Sequence, residues 1–397
     1  MHITRKQHAF VVGCTLVAAV ASASDLLPRA DPASRDVDPI ALEAAFDAAR
    51  ALSGLDAVVV VRDGRVVGEA ERFNGLSETH HIRSVTKSVT SLLVGIAIDR
   101  GFIGSVDDRM VDYLPAGLNP SDPDADAITL RHLLTHTSGF QWNEDAEWYV
   151  WVNNSDPARF ILNRPVITAP GSSPVYSTAA VHVLSVVLSE ATGMDTEAFA
   201  AEVLFQPLGI TEYPWDRDRK GRAFGGHGLQ LTTEDMAKLG LVLQGHGLYH
   251  GTSVVSGEWV RESSAVQVPL GGSFGPLSEI DYGLLWWRNG QNPDTAIIAW
   301  GWGGQFSVVV PSLNLVVAVS SRWNVPLATA NRQEAEALEL IFDHILPAVG
   351  HRGIEPRQGG RRLDIGPSMK WFSGLESRGA GPATVPSGVA IDRQRRD

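Results

Sequence analysis

Two residues with complementary chemistry, Ser84 and Lys87, stand three positions apart at the start of the apolar run SVTKSVTSLLVGIAID. On a helix, side chains with this spacing lie on one face, with Cβ atoms about 5–6 Å apart. A serine hydroxyl needs a base within hydrogen-bond reach to act as a nucleophile, and a lysine can be that base if burial lowers its pKa. A serine in the first helical turn also has a backbone N–H without an intrahelical partner, which could stabilise an oxyanion. The pair predicts a nucleophilic serine, although S-x-x-K also arises by chance in a chain of this length.

Two later stretches contain residues that could complete such a site. Tyr176 stands where the loop PGSSPVYST enters a helix, and a tyrosine near a lysine cation can exchange a proton during acyl transfer. The alternative for Tyr176 is a core tyrosine with a satisfied hydroxyl. The glycines of AWGWGGQF precede a strand and permit close approach to the backbone. An edge strand there could offer an N–H to an oxyanion.

The first 30 residues resemble a secretion signal. Arg5 and Lys6 form a positive n-region, residues 9–20 form an apolar h-region, and an A-x-A cleavage site ends at Ala23. The apolar run is too short for a permanent membrane anchor, which needs ~20 residues. We therefore expect residues 1–23 to be a removed signal peptide and the mature protein to be periplasmic or secreted.

The composition excludes several classes of function. A net charge of −12 argues against a nucleic-acid partner, which favours a basic surface, and no other stretch approaches transmembrane length. The single cysteine, Cys14, lies in the predicted signal, so the mature chain would form no disulfide and no thiol site. Whether Cys14 carries a lipid is left open. His132 and His136 are four positions apart, a spacing that could bind zinc, but no glutamate follows the first histidine. We expect no metal and no organic cofactor.

The pattern of elements predicts an α/β part made from both ends of the chain around a helical centre. A helix, a hairpin with an Asp63-Gly64 turn, and the Ser84 helix come first. Strand patterns return from Tyr282, and the last helix is predicted over 331–346. One domain is predicted over 38–346, followed by a poorly ordered tail over 351–397. The α/β part of the domain would comprise about 38–104 and 255–346, and the helical part about 105–254.

The order of S-x-x-K, then Y-S-T, then a Gly-rich β-strand motif resembles the serine β-lactamase superfamily. That superfamily includes penicillin-binding proteins, class C β-lactamases, family VIII esterases and 6-aminohexanoate-dimer hydrolases. ITLRHLLTHTSGF, LFQPLGI and GGHGLQLTTEDMAKLG are similar too, and the similarity covers residues 55–346. The forms WDRD, GWGGQ and Y-S-T are most similar to the esterase and aminohexanoate-hydrolase branch. The resemblance implies a β-lactamase/transpeptidase-like fold, an antiparallel sheet flanked by helices beside a central helical domain, with the active site in the cleft between them.

The resemblance also implies a role for each motif residue. Ser84 would be the acylated nucleophile, and Lys87 would either take its proton or hold Tyr176 as a phenolate. Tyr176 would be the base and acid that serves the leaving group. The backbone N–H groups of Ser84 and Trp302 would form the oxyanion hole. Further substrate contacts are expected at three residues: His227, Trp300 and Gly301.

Two departures from the superfamily pattern shape the predicted function. Thr178 stands where class C β-lactamases have asparagine, and the cation of their Lys-Thr-Gly motif is missing around Ala299. Because that cation helps to hold the β-lactam carboxylate, we expect a serine hydrolase that cleaves a small ester or linear amide through an acyl-enzyme. A β-lactamase or D-amino-acid peptidase is one alternative, and a covalent sensor of β-lactam or peptidoglycan without turnover is another. The sequence indicates no oligomeric state.

Overall fold

The computed structural model describes residues 26–72, 75–290 and 295–350. Twelve strands lie in these ranges: β1 (Leu55–Arg62), β2 (Arg65–Glu71), β3 (His80–His81), β4 (Gln230–Leu231), β5 (Leu248–Tyr249), β6 (Thr252–Ser253), β7 (Val268–Phe274), β8 (Leu277–Tyr282), β9 (Trp287–Asn289), β10 (Ala296–Gly301), β11 (Gln305–Val310) and β12 (Leu315–Ser321). Eight of them form one antiparallel sheet in the order β2-β1-β12-β11-β10-β9-β8-β7, while β3 pairs with β4 and β5 with β6.

The centre of the sheet is buried on both faces. Residues 58–61 of β1 are valines with no exposed surface, and consecutive buried residues in a strand require cover on each side. The hairpin to β2 forms because Asp63 and Gly64 both adopt positive φ angles of 49° and 72°, the conformation of a two-residue turn that matches strand twist.

The helices are α1 (Pro39–Ala51), α2 (Val85–Asp99), α3 (Leu130–Leu134), α4 (Glu144–Val152), α5 (Pro157–Leu162), α6 (Thr178–Thr192), α7 (Thr196–Ala200), α8 (Thr233–Gln244), α9 (Gly257–Ser263), α10 (Leu327–Glu339) and α11 (Leu346–Ala348). Wider π turns follow α7 and α10 over Ala201–Phe205 and Leu340–Ile345. Helix α8 packs on β1, β11 and β12, α1 packs on β1 and β2, and α2 packs on β10 and β11. Helix α6 is the hub of the helical part, in contact with α2, α3, α4, α5 and α7.

The sheet combines β1 and β2 from the start of the chain with β7 to β12 from its end, as the sequence predicted. Strands resume at Val268 rather than Tyr282, because β7 and β8 form an irregular, half-exposed hairpin with register shifts. Such a hairpin lacks the alternating pattern by which strands are recognised. The helix predicted over 331–346 begins with α10 at Leu327 instead of residue 331, since Pro326 provides its N-cap position.

Several predictions lie outside the described residues: the signal peptide over 1–23 with Cys14, and the tail over 351–397. The domain boundaries stay predictions. Across the described ranges, none of the helices is both long and apolar enough to cross a membrane. Within the same ranges, no cluster of three or more His, Cys, Asp or Glu residues is arranged to hold a metal ion.

Candidate active site

Ser84 and Lys87 meet at the first turn of α2. Ser84 occupies the N-cap position, but its hydroxyl makes no capping hydrogen bond, so the oxygen is available for another contact. Lys87 Nζ lies 2.9 Å from Ser84 Oγ. Only 1% of Lys87 is exposed. The structure therefore places the predicted nucleophile and base in direct contact.

Lys87 has two further partners beneath the cavity. Its Nζ donates to Thr178 Oγ1 and to the Gly226 carbonyl oxygen, each at 2.9 Å. Burial lowers the pKa of Lys87 to about 7, with the Glu144 carboxylate opposing this shift and the Arg83 cation adding to it. Near neutral pH a substantial fraction of this lysine is therefore uncharged.

Glu144, a residue that sequence reasoning missed, anchors Thr178. Asn143 caps α4 and thereby places Glu144 in the first turn of that helix. Glu144 Oε1 accepts the Thr178 hydroxyl proton at 2.5 Å. Its Oε2 accepts the Thr178 backbone N–H at 2.9 Å and the Trp142 indole N–H at 2.8 Å. The carboxylate is thus fully engaged and joins α4 to the start of α6.

These contacts fix the direction of two hydrogen bonds around Lys87, those with Thr178 and Gly226. Because Thr178 gives its proton to the carboxylate, its oxygen accepts from Lys87. The Gly226 carbonyl can only accept. A neutral Lys87 amine has two protons and one lone pair, so its protons serve these two acceptors and the lone pair remains for the Ser84 hydroxyl.

Tyr176 lies on the other side of Lys87, with the Nζ atom 4.7 Å from its ring centroid. Burial raises the pKa of Tyr176 well above 10, and the neighbouring Tyr282 hydroxyl and Glu144 carboxylate raise it further, whereas a hydrogen bond with Ser84 lowers it. The phenol is therefore protonated at neutral pH. Between the two candidate bases, these directions favour Lys87.

His136 holds Tyr176 in place. His136 has a positive φ of 60°, and its carbonyl oxygen and Nδ1 accept the backbone N–H groups of Val175 at 2.7 Å and Ser177 at 3.1 Å. Its ring lies 4.3 Å from that of Tyr176, and Nε2 contacts the Tyr282 hydroxyl at 3.2 Å.

The pair His132 and His136 does not continue along one helix, because α3 ends at Leu134. His132 Nδ1 accepts the backbone N–H of Thr129 instead. Both ring nitrogens of His136 are already engaged. These hydrogen bonds give the segment a structural role.

The residues around Lys87 form the helical wall of the site. The second wall, the sheet wall, comes from the end of β10 and the turn that follows it, residues 301–304. The expectation of an edge strand is wrong, because β10 lies between β9 and β11. Strand β9 is short, however, and its pairing with β10 ends at Ile298. Ala299 to Gly301 are therefore paired on the β11 side only in the described structure. A Cβ on Gly301 would lie 2.3 Å from the Ile82 carbonyl oxygen, so glycine lets this strand approach the segment that leads into Ser84.

Two consecutive residues of α10 hold the turn at one residue, Gly303. The Gly303 N–H donates to Glu334 Oε1 at 2.8 Å, and Gln333 Nε2 donates to the Gly303 carbonyl at 2.7 Å. The Trp300 indole N–H donates to Glu334 Oε2 at 3.2 Å. Burial raises the pKa of Glu334 to about 7, while its hydrogen bonds with Gly303 and Trp300 oppose the rise.

Both walls face one cavity of 560 Å³. Five of the residues expected from the sequence line this cavity: Ser84, Tyr176, His227, Trp300 and Trp302. Lys87 lies buried beneath them. Gly301 acts from behind the wall through its close approach to Ile82.

His227 lies among aromatic rings of the helical part, with its own ring 4.3 Å from Phe224 and 5.6 Å from Trp148. Burial keeps its pKa well below the usual range, and the nearby cations Arg83 and Lys87 lower it further. Its Nε2 atom is buried and has no hydrogen-bond partner among the described residues. Trp148 also lines the cavity, whereas Trp151 is fully buried packing.

Four charged residues of the cavity wall were missed: Arg83, Glu144, Asp145 and Glu334. The position of Arg83 next to Ser84 could have drawn attention to it. Glu144 and Glu334 carry no local signal, because their contacts with Thr178 and Gly303 join positions 34 and 31 residues apart in the chain.

A sequence profile of the Beta-lactamase family matches residues 40–340. The chain belongs to the Beta-lactamase family. The match covers the sheet and the helical part together, and it identifies the architecture as the β-lactamase/transpeptidase-like fold. Solved structures superpose with a TM-score of 0.63 at 20% and 22% identity, covering 81% and 78% of this chain, a likeness that shows the fold.

Three curated members of the family illustrate its range. D-alanyl-D-alanine-carboxypeptidase/endopeptidase AmpH of Escherichia coli strain K12 is 27% identical over 40% of this chain and 44% of AmpH. Esterase EstB of Burkholderia gladioli is 29% identical over 46% of this chain and 54% of EstB. The 6-aminohexanoate-dimer hydrolase of Paenarthrobacter ureafaciens is 25% identical over 68% of this chain and 73% of that enzyme. This chain thus spans about half the length of the first two relatives. It belongs to a serine-hydrolase superfamily that comprises esterases, amidases and β-lactamase-like proteins.

Proposed function

We propose that the protein is a serine hydrolase that cleaves a small ester or linear amide through an acyl-enzyme on Ser84. The observation that carries this proposal is the 2.9 Å contact between Lys87 Nζ and Ser84 Oγ, made by a lysine whose other two hydrogen bonds are fixed as donors. A neutral lysine held in this way has its lone pair directed at the serine proton. That arrangement satisfies the geometric requirement for an activated nucleophile.

In the acylation step, Ser84 Oγ attacks the substrate carbonyl carbon while its proton passes to Lys87 Nζ. The backbone N–H groups of Ser84 and Trp302 stabilise the oxygen that gains negative charge. Tyr176, protonated and beside Lys87, donates its proton to the leaving alcohol or amine as the carbon–oxygen or carbon–nitrogen bond breaks, and Lys87 returns a proton to the phenolate. Water then attacks the Ser84 ester by the reverse sequence of proton transfers.

Ester or linear-amide substrates are favoured by the walls of the cavity and by the relatives. Trp287, Trp300 and Trp302 give the sheet side of the cavity an apolar lining, which suits an apolar acyl group. In a β-lactam the carboxylate is fixed close to the scissile bond. Around Trp300 it would meet Glu334 rather than a cation. EstB is an esterase, and the Paenarthrobacter enzyme is a 6-aminohexanoate-dimer hydrolase. Both relatives support an ester or linear amide as the substrate.

The match with AmpH keeps D-amino-acid peptidase as the second candidate. A panel of four substrate types separates the candidates: short-chain p-nitrophenyl esters, linear amides, a cephalosporin and a D-Ala-D-Ala peptide. We expect esters and linear amides to have the highest kcat/KM. Faster turnover of the peptide or the cephalosporin would favour the alternatives, and a stable adduct without any product would indicate a sensor.

Two serines in the same helix provide the matched test of the nucleophile. Ser84→Ala should reduce ester hydrolysis by about 10⁶-fold, the loss typical of a missing nucleophile. Ser88 is also buried, but its hydroxyl donates to the Leu285 carbonyl at 2.8 Å, so Ser88→Ala should leave kcat nearly unchanged. A loss of only a few-fold in Ser84→Ala would refute the assignment.

We also propose that the protein is exported, on the strength of the n-region, the apolar run and the A-x-A site. N-terminal sequencing of protein from its native host should find a start near Ser24. An intact Met1 in cytosolic protein would contradict export, and a mature start at a lipid-modified Cys14 would indicate a membrane tether.

A further inference from the structure

Arg83 lies in the cavity wall directly before Ser84, yet it has no part in the chemistry described above. Its guanidinium carbon lies over the rings of both Trp148 and Trp323, 5.4 Å from each ring centroid, so the cation is within reach of two aromatic rings. Its Nε atom is buried without a hydrogen-bond partner, and within the described ranges no carboxylate forms an ion pair with it. Arg83 thus has cationic donors at the cavity that the protein leaves unused.

The two acids that act on Arg83, Glu144 and Asp216, form no ion pair with it. Glu144 accepts three hydrogen bonds from Thr178 and Trp142. Asp216 is half exposed to solvent and lies 4.0 Å from His81. Both act on Arg83 only through space. An incompletely paired cation removed from water is unfavourable, and an anionic ligand would relieve that cost.

We propose that Arg83 binds a carboxylate on the substrate, so that the enzyme prefers esters or amides whose acyl or leaving group ends in a carboxylate. This inference rests on the proposed function. A guanidinium carries its N–H donors in a planar fork that matches a carboxylate. The two tryptophans restrict the side chain, so little further ordering is needed on binding.

This anchor differs from the one that is missing at Ala299. That position belongs to β10, whose neighbour Trp300 donates to the buried Glu334. Arg83 instead lies within reach of α4 and the segment that follows β12. A carboxylate on a flexible chain can reach it from the scissile bond, whereas one fixed beside a lactam ring cannot adjust its position. The expected substrates are therefore linear.

The first experiment compares matched ester pairs. On the acyl side, p-nitrophenyl hydrogen glutarate is compared with p-nitrophenyl pentanoate; on the leaving-group side, 4-acetoxybenzoate is compared with its methyl ester. In the wild type, kcat/KM should favour the carboxylate in at least one pair. A charge-assisted hydrogen bond corresponds to about 10- to 150-fold in affinity. Arg83→Gln should remove that preference, and Arg83→Lys should restore part of it.

A charge-matched control is Arg109→Gln, because Arg109 is exposed and pairs with Asp112 outside the cavity. It should keep the wild-type preference. No preference for the carboxylate in either pair, or a preference that survives in folded Arg83→Gln, would overturn the proposal.

A binding measurement separates this proposal from the proposed function. Calorimetry with glutarate on the Ser84→Ala protein should show binding that Arg83→Gln weakens about 10-fold or more, whereas glutaramide should not bind measurably. This result does not require turnover, so it would stand even if no ester were hydrolysed. Equal affinity for glutarate and glutaramide would refute the Arg83 site, while Ser84-dependent hydrolysis of neutral esters would leave the proposed function intact.

Discussion

The two walls of the cavity are built in different ways. The helical wall is a chain of polar side chains, Glu144, Thr178, Lys87 and Ser84, joined by hydrogen bonds of 2.5–2.9 Å. On the sheet wall, α10 holds one residue, Gly303, through its backbone N–H and its carbonyl oxygen. The first wall controls where a proton lies, and the second controls where a backbone N–H points. Changes in the helical wall should therefore alter proton transfer, and changes in the sheet wall should alter the stabilisation of the oxyanion.

The largest effect in this comparison is expected from Lys87→Met, which removes the base. General-base catalysis contributes about 10²–10⁴-fold, so kcat should fall by up to about 10⁴-fold while the fold is retained. In the wild type, kcat/KM should rise with pH through about 7 as Lys87 loses its proton. Stopped-flow assays from pH 5 to 9 measure both.

Lys238 offers a matched control for this substitution. It is equally buried, and it pairs with Asp235 at 2.8 Å outside the cavity. Lys238→Met should cost about 3–5 kcal/mol of stability, because it leaves a buried carboxylate unpaired, without changing kcat of the folded enzyme. Equal losses of kcat in the two variants would show that Lys87 has only a structural role.

Glu144→Gln should produce the next largest effect, by turning the hydrogen bonds of the helical wall around. The N–H donors of Thr178 and Trp142 select the amide oxygen, which leaves the amide NH₂ group facing Thr178 Oγ1. The Thr178 proton then points at Lys87 and occupies its lone pair. We expect kcat to fall by about 10²-fold, within the range for lost base catalysis.

The pH profile distinguishes this effect from simple damage to the fold. Glu144 raises the pKa of Lys87, so its neutralisation should move the acidic limb of kcat/KM to lower pH while the plateau falls. Thr178→Ser keeps the hydroxyl and should retain most of the activity, whereas Thr178→Val keeps the Glu144 charge and should leave the acidic limb near its wild-type pH. If the acidic limb of kcat/KM stayed at its wild-type pH in Glu144→Gln, the proposed effect of Glu144 on Lys87 would be contradicted.

In the sheet wall, Glu334→Gln should have a smaller kinetic effect. The amide oxygen can still accept from Gly303, but its NH₂ group then faces the Trp300 indole N–H. Losing one hydrogen bond of this kind corresponds to about 2- to 12-fold in kcat. The position of the limb due to Lys87 should stay near its wild-type pH, in contrast to Glu144→Gln.

Stability should show the complementary pattern. Burial raises the pKa of Glu334 from 4.5 to about 7, so the folded protein binds this proton more tightly than the unfolded chain does. The stabilisation is complete below pH 4.5 and is lost as the pH rises to about 7, on the order of 3 kcal/mol in total. Glu334→Gln should flatten this part of the curve of unfolding free energy against pH. An unchanged slope would show that the carboxyl is not buried as described.

The smallest effect is expected at His227, which belongs to neither hydrogen-bonded wall. Burial keeps the pKa of His227 well below its usual range, so its unpartnered nitrogen can give or take one neutral hydrogen bond with a substrate. His227→Ala should raise KM by about 2- to 12-fold to the same extent at pH 6, 7.5 and 9. The control His344→Ala changes an exposed residue and should leave KM unchanged. A pH-dependent change would show that His227 titrates in this range.

The sequence predicts the contacts of the helical wall better than those of the sheet wall. Ser84 and Lys87 are one helical turn apart, so their contact follows from local periodicity, and Tyr176 was found through its Y-S-T motif. The hydrogen bonds from Gln333 and Glu334 of α10 to Gly303 could not be predicted in this way, because in the sequence both residues are ordinary members of an amphipathic helix. Their function depends on where α10 packs against the turn about 30 positions earlier.

Interpretation from local pattern also failed where the local pattern was weak. The Gly-rich stretch after Ala299 suggested an edge strand, but it lies inside the sheet and is open to the cavity only because β9 is short. The missing cation at Ala299 was visible in the sequence. The placement of the Arg83 cation was not, because it depends on two tryptophans 65 and 240 positions away. Charge placement in a cleft depends on tertiary contacts, which periodicity does not encode.

Mass measurement of the acyl intermediate tests the central claim most directly. The wild-type protein would be mixed with p-nitrophenyl pentanoate, quenched in acid within the first turnovers, and measured intact and after proteolysis. We expect one pentanoyl group on the peptide that contains Ser84, retained in Ser88→Ala and missing in Ser84→Ala. Slow formation of the same adduct in Lys87→Met would show that Lys87 assists acylation. Acylation at another residue, or undiminished product release by Ser84→Ala, would contradict a nucleophilic Ser84.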